Sequence, residues 1–330
     1  MKPVNLLVLI HGMTTESTRL SHKQEYDTLY EGIVKARGSL KNDLAGQIRV
    51  EWGHRTGPAP AVRPDERIAD AEVFLHDRIA YRNVLADKDS GNHTLSFPNE
   101  IFSKLVTRFV TDPIKEKVLL FGVTDVFYYC SADGESAVRR AVYGQVLQQL
   151  EAYRESTEVR LHVVAHSLGV TVSHDFLYGL FAPDNAWSDG TPDYLKDPDV
   201  REEDKVLYAY WRGRAQANPR TLQSASFSTS AGQLPLMMMR KQSLVDRLAR
   251  NETLNPSVIG IPAGGSPKWK MFYDVDDVLA FPARRLYEPT TAIEEYQVDT
   301  GWRPDLNHSL YWSNDYVLTQ TADLIHSNLR

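Results

Sequence analysis

Short apolar runs alternate with longer stretches of helical periodicity along this chain, and that order constrains its fold more tightly than any other feature. Val4 to Ile10 reads as a buried strand, Lys23 to Lys35 as a helix and Ile48 to Trp52 as a second strand. Arg63 to Arg82 reads as an amphipathic helix, because Ile68, Ala71, Leu75 and Ile79 recur three or four residues apart on one face. Ser136 to Tyr153 repeats that pattern through Val138, Val142, Val146 and Leu150. A strand over Val159 to Ala165, a helix from Leu168 to Phe181 and strands at Leu222 to Ser228 and Trp269 to Tyr273 follow. Strands joined through helices are crossover units. The expected fold class is therefore α/β, a mostly parallel central sheet flanked by helices, and the 330 residues fit one such domain with insertions, 1–330.

Two stretches interrupt the rhythm. Residues 84–117 are polar and irregular, with Asp87 to Asn92 as an exposed loop. Residues 183–219 carry Pro183, Pro192, Pro198 and Pro219, a run of acids, and then Tyr208, Tyr210 and Trp211. This segment lies between a helix and a strand, so it is an insertion in the domain, read either as a cap-like lid over a site or as a solvated excursion. It also locates the charge. The chain has 37 Lys plus Arg against 43 Asp plus Glu, a formal charge of −6, and between Asp184 and Asp204 there are eight acids and two bases. The remainder is neutral. An acidic insertion placed over a site would disfavour polyanionic substrates and favour neutral ones.

Composition removes several function classes. With 42% apolar and 24% charged residues the chain buries a sizeable core, which excludes a disordered or fibrous protein. The mild acidity gives no general attraction for phosphate backbones, so nucleic acid is not the expected partner. No run approaches the ~18 apolar residues of a membrane-spanning helix, and the apolar start, Val4 to Ile10, meets His11-Gly12 in place of a cleavage site. Cys130 is the single cysteine, which leaves no internal disulfide and no cysteine metal cage. Ten histidines are present without an H-E-x-x-H helix, and His162 and His166 are four apart on a strand, so no metal site is expected. The glycine after the first strand is single, without a dinucleotide fingerprint or P-loop, and no cofactor is expected. These features lead us to expect a cytoplasmic protein; nothing in them fixes its oligomeric state.

The segment Leu161-His162-Val163-Val164-Ala165-His166-Ser167-Leu168-Gly169 carries the chemistry. A serine on a tight turn between strand and helix has strained backbone geometry, and the residues two before and two after it must be small. Ala165 and Gly169 meet that demand, with alanine in place of the first glycine of the commoner G-x-S-x-G form. At the other end of the chain, the first strand runs into His11-Gly12-Met13, where glycine lets the backbone bend closely around a substrate oxygen.

Through Leu9-Ile10-His11-Gly12-Met13 and Ala165-His166-Ser167-Leu168-Gly169 the chain resembles the α/β-hydrolase superfamily, in particular its serine lipases and esterases. The resemblance threads most of residues 4–312 and implies a single α/β-hydrolase domain with Ser167 as nucleophile. It also implies an oxyanion hole made by the backbone N–H groups of Met13 and Leu168, with His11, Gly12, His166 and Gly169 as supporting residues. In that family the acid and then the histidine follow the serine in the chain. The segment Lys268 to Pro282 resembles the late strand and acid loop, where Asp277 occupies the matching place, with Asp276 and Asp274 as alternatives. His308, in a polar loop just before Tyr311 and Trp312, resembles the late histidine of these hydrolases. The implied function is hydrolysis of a small, neutral carboxylic ester through an acyl-enzyme. Thioester, amide and acyl-transfer chemistry use the same triad, and a non-catalytic binding module on the same fold is the alternative from another class.

Overall fold

A computed structural model describes residues 3–12, 19–52, 129–183, 194–218, 220–238, 242–277, 279–301 and 308–330. Its strands are β1 (Val4–Ile10), β2 (Gly46–Val50), β3 (Val159–His166), β4 (Leu222–Ser230), β5 (Trp269–Tyr273) and β6 (Ile293–Gln297). They form one sheet in the order β2-β1-β3-β4-β5-β6, and every neighbouring pair is parallel. The helices are α1 (Arg19–Ala36), α2 (Leu40–Asp43), α3 (Ala132–Leu150), α4 (Leu168–Phe181), α5 (Glu202–Ala217), α6 (Leu234–Met238), α7 (Gln242–Ala249) and α8 (Asp315–Ser327). The expected class is met by a six-stranded parallel sheet flanked by helices. The sequence-predicted helix at Arg63 to Arg82 and the irregular stretch 84–117 lie outside the described residues.

Alternation along β1 explains the layers. Leu6, Val8 and Ile10 point to one face, into a core shared with Val138, Val142 and Val146 of α3 and Val172, Phe176 and Leu180 of α4. Leu7 and Leu9 point to the other, against Tyr26, Leu29 and Ile33 of α1 and Leu318, Ala322 and Ile325 of α8. Because both faces are covered, β1 reads in the sequence as an apolar run, unbroken from Leu6 to Ile10. Each of these buried aliphatic side chains contributes roughly 1.5–3 kcal/mol relative to exposure. Capping fixes where two of the helices begin. The Ser131 side chain accepts from the Gly134 N–H at α3, and Asn314 accepts from the Tyr316 and Val317 N–H groups at α8.

Strand order sets the place of a site. From β1 the chain moves outward to β2, then returns to lay β3 on the opposite side of β1 and continues outward through β4, β5 and β6. The connections leaving β1 and β3 therefore diverge, which opens a crevice at the carboxyl ends of these two strands.

β6 and α5 are among the elements that the sequence pattern does not announce. β6 is an edge strand in which only Ile293 is buried, so Glu294, Glu295 and Gln297 give it no apolar run to detect. α5 lies inside the acidic insertion and buries Tyr208, Trp211 and Ala215 against α3, α4 and β4. At its C-terminal end Arg214 donates to the carbonyls of Arg154, Ser156 and Thr157, beside the start of β3. Acids before it and in its first turn are used in pairing: Asp197 and Asp199 each lie 3.2 Å from Arg140 of α3, and Asp204 lies 2.8 Å from Arg201. Residues 184–193 of the insertion lie outside the described residues. Among the described residues, no helix is long and apolar enough to cross a membrane.

Candidate active site

Ser167 sits between β3 and α4 with φ 56° and ψ −132°, a conformation rare for a residue with a side chain. Its neighbours hold it there. The Ser167 N–H donates to the Ser230 carbonyl at the end of β4, and the Ser167 carbonyl accepts from the Val170 N–H. Of the small residues expected around the serine, Gly169 is required by contact. A Cβ on Gly169 would stand 2.3 Å from the His11 carbonyl oxygen and 2.8 Å from that of Ile10. A Cβ on Gly12 would stand 2.4 Å from the Ser167 Cβ. The ends of β1 and β3 therefore approach each other at glycine, and Ser167 lies at the crevice that the strand order predicts.

Three predicted residues meet in a line. The Ser167 hydroxyl lies 2.7 Å from His308 Nε2, and His308 Nδ1 lies 2.9 Å from Asp277 Oδ2 and 3.1 Å from Oδ1. Asp277 is buried and receives two more hydrogen bonds, from the Leu279 N–H at 3.0 Å and the Tyr311 hydroxyl at 3.1 Å. Burial alone would push its carboxyl up. The His308 hydrogen bond and charge, with the Leu279 and Tyr311 donors, outweigh that and hold it below the usual carboxylate range. An ionised Asp277 keeps the proton on Nδ1, which leaves Nε2 as the acceptor for the serine hydroxyl.

The other two carboxylates of the loop are placed elsewhere. Asp274 is buried, with Oδ2 accepting from the Thr300 N–H and hydroxyl, both at 2.7 Å, and Oδ1 accepting from the Asp276 N–H. It shapes the turn after β5. Asp276 is exposed.

His11 is buried and spends both ring nitrogens locally. Nδ1 lies 2.7 Å from the Gly12 carbonyl, which it can meet only as a donor, and Nε2 then accepts from the Trp52 N–H at 3.2 Å. The ring is stacked between His22 and Trp52, while its backbone N–H donates to the Tyr26 hydroxyl at 2.9 Å. Burial, followed by repulsion from His22, holds its pKa well below that of a free histidine. His11 thus holds the backbone at Gly12, just after β1, as a neutral ring. His166 donates from Nε2 to the His308 carbonyl at 2.6 Å, which ties His308 to the end of β3. Burial and the neighbouring His308 lower the His166 pKa to about 3, so it too stays neutral.

Leu168 is the first residue of α4, where a backbone N–H has no acceptor within the helix and the positive end of the helix dipole lies. That donor is suited to an oxyanion. Met13, the predicted second donor, lies outside the described residues. Among the described residues no cluster of His, Cys, Asp or Glu is disposed to hold a metal ion.

Sequence reasoning passed over two residues of the site. In the sequence Tyr311 is only an aromatic neighbour of His308, yet its hydroxyl accepts from the Asp274 N–H at 2.8 Å while donating to Asp277. Gln233, just after β4, is buried with Nε2 3.2 Å from Ser167 Oγ. A lone tyrosine or glutamine in a loop carries no spacing signal. Comparison with protein-family models, curated proteins and solved structures finds no match to this chain, so the functional reading rests on the arrangement of Ser167, His308 and Asp277 itself.

Proposed function

We propose that the protein is a serine hydrolase of carboxylic esters, built on an α/β-hydrolase type of domain. One observation carries the reading: an unbroken hydrogen-bond line from Ser167 through His308 to Asp277, starting at a strained strand-to-helix turn at the switch point of a parallel sheet. A serine hydroxyl is a weak nucleophile near neutral pH, and His308 removes its proton as it attacks the ester carbonyl. Asp277 orients the imidazole and stabilises its cationic form.

The tetrahedral oxyanion is held by the Leu168 N–H and, as the family resemblance implies, by that of Met13. Loss of one such donor costs about 2.7–4 kcal/mol of barrier lowering in comparable sites. His308 then returns the proton to the departing alcohol, and water, activated by the same base, releases the acyl group. Every proton in the cycle passes between Ser167, His308, the departing alcohol and water, so no cofactor enters the proposal. The substrate is a small neutral ester.

The test is a fluorophosphonate probe together with p-nitrophenyl butyrate hydrolysis. The wild-type protein is expected to be labelled at Ser167 and to turn over the ester, whereas Ser167→Ala abolishes labelling and lowers kcat by about 10⁴-fold or more. Labelling at another residue, or full turnover by Ser167→Ala, would overturn the proposal.

A further inference from the structure

Ser167 Oγ has a second partner that ester hydrolysis as described leaves unused. Gln233 lies in the short connection between β4 and α6, with its carboxamide Nε2 3.2 Å from Oγ. Its other polar atom, Oε1, is buried and has no hydrogen-bond partner among the described residues. Proton bookkeeping decides which end faces the serine. Asp277 holds the proton on His308 Nδ1, so Nε2 accepts, the Ser167 hydroxyl donates to it, and Oγ has only lone pairs left to offer. Gln233 therefore presents an N–H to Oγ and turns Oε1 away. With amide C–N and C=O bonds of about 1.33 and 1.23 Å, Oε1 lies within about 6 Å of Oγ.

The carboxamide has no easy escape. A flip would bring its oxygen against the serine lone pairs, and the backbone beneath it is pinned. The Ala231 N–H donates to the Phe272 carbonyl, and the Gly232 carbonyl accepts from the Phe281 N–H. A buried acceptor left without a donor is costly, and the cost is relieved when a donor arrives. An acyl group bonded to Ser167 is anchored at an Oγ that lies within about 6 Å of this oxygen.

We propose, resting on the ester-hydrolase reading, that Gln233 is a specificity-determining residue whose Oε1 accepts a hydrogen bond from the acyl group. The favoured substrates are then esters of acyl groups bearing an O–H or N–H on the carbon α or β to the scissile carbonyl. A site built to pair with a substrate donor rejects the analogue that lacks it, because the site's own polar atom is then left dry.

The experiment compares kcat/KM for p-nitrophenyl 3-hydroxybutyrate and p-nitrophenyl butyrate, each normalised to its rate of alkaline hydrolysis. Wild-type protein is expected to favour the hydroxy ester by about tenfold or more. Gln233→Met has similar length and no acceptor, and it brings the ratio to about one. Gln233→Glu keeps an acceptor and removes the donor to Oγ, so it retains the preference while kcat falls. A wild-type ratio within about twofold of one, or a preference that survives in folded Gln233→Met, overturns the proposal. Fluorophosphonate labelling of the same wild-type sample separates the two readings. Labelled Ser167 with a flat ratio overturns the specificity alone, and absence of labelling overturns ester hydrolysis and the specificity with it.

Discussion

Tyr311 shows how much of this site depends on single polar atoms. Its hydroxyl links the two loop carboxylates, accepting from the backbone of Asp274 and donating to the side chain of Asp277. Tyr311→Phe would leave the Asp274 N–H buried without its acceptor, at a cost of about 1–3 kcal/mol. It would also remove one of the donors that hold Asp277 ionised and in place. We expect urea denaturation to report that loss of stability, and kcat for p-nitrophenyl butyrate to fall by about tenfold, which corresponds to about 1.4 kcal/mol, with KM little changed. Unaltered kcat would remove Tyr311 from the support of the acid. Ser167 could be read from the sequence because its turn forces small residues at fixed offsets. Tyr311 and Gln233 could not, since what makes them matter is a contact across 34 and 66 residues of chain.

At the scale of elements, the decisive contact is between the end of β1 and the first turn of α4. Gly169→Ala would drive a methyl group to 2.3 Å from the His11 carbonyl oxygen, and β1, paired on both sides, has no room to retreat. Overpacking of this kind costs about 1–3 kcal/mol and at times more. Here it would also tilt the start of the helix that carries the Leu168 N–H. Gly213, in α5, has open space around its Cα, and its replacement by alanine should stabilise by up to about 1 kcal/mol through helix propensity. Thermal melts and fluorophosphonate labelling of the pair check this. Equal melting temperatures, or normal labelling of Gly169→Ala, would refute the crowding of β1 against α4. The elements of the sheet centre were legible because burial on both faces writes apolar runs, as in Leu6 to Ile10 of β1 and Val163 to Ala165 of β3. At the margin that rule fails. β6 is polar because it is an edge, and the one buried stripe of α5, Tyr208, Trp211 and Ala215, follows a run of acids of which Asp197 and Asp199 pair with α3.

For the whole molecule the consequence of these choices is acid sensitivity. Three histidines are held as neutral rings at the sheet: His11 after β1 and His162 on β3, both buried, and His166, half-buried at the end of β3. His162 donates from Nε2 to Asn5 Oδ1 at 3.1 Å and accepts at Nδ1 from the Ser226 hydroxyl at 2.8 Å, and burial lowers its pKa to about 3. His166 is likewise lowered to about 3, and His11 shifts in the same direction. An unfolded histidine titrates near ~6.5. Between that value and the folded one the unfolded chain binds more protons, so stability rises with pH in this window and is lost as pH falls from ~6.5 towards ~3. At about 1.4 kcal/mol per pH unit, His162 and His166 each remove about 2 kcal/mol by pH 5, a large part of an ordinary folding stability of ~5–15 kcal/mol. Asp277 acts in a lower window, because a depressed carboxyl loses its contribution only as pH falls from ~3.9 through its folded value. Urea unfolding at pH 7.5 and at pH 5 should therefore differ by several kcal/mol. His162→Gln, whose amide can donate to Asn5 and accept from Ser226 without titrating, should narrow that difference by about 2 kcal/mol. A pH dependence identical in wild type and variant would mean that His162 is not held neutral by the fold.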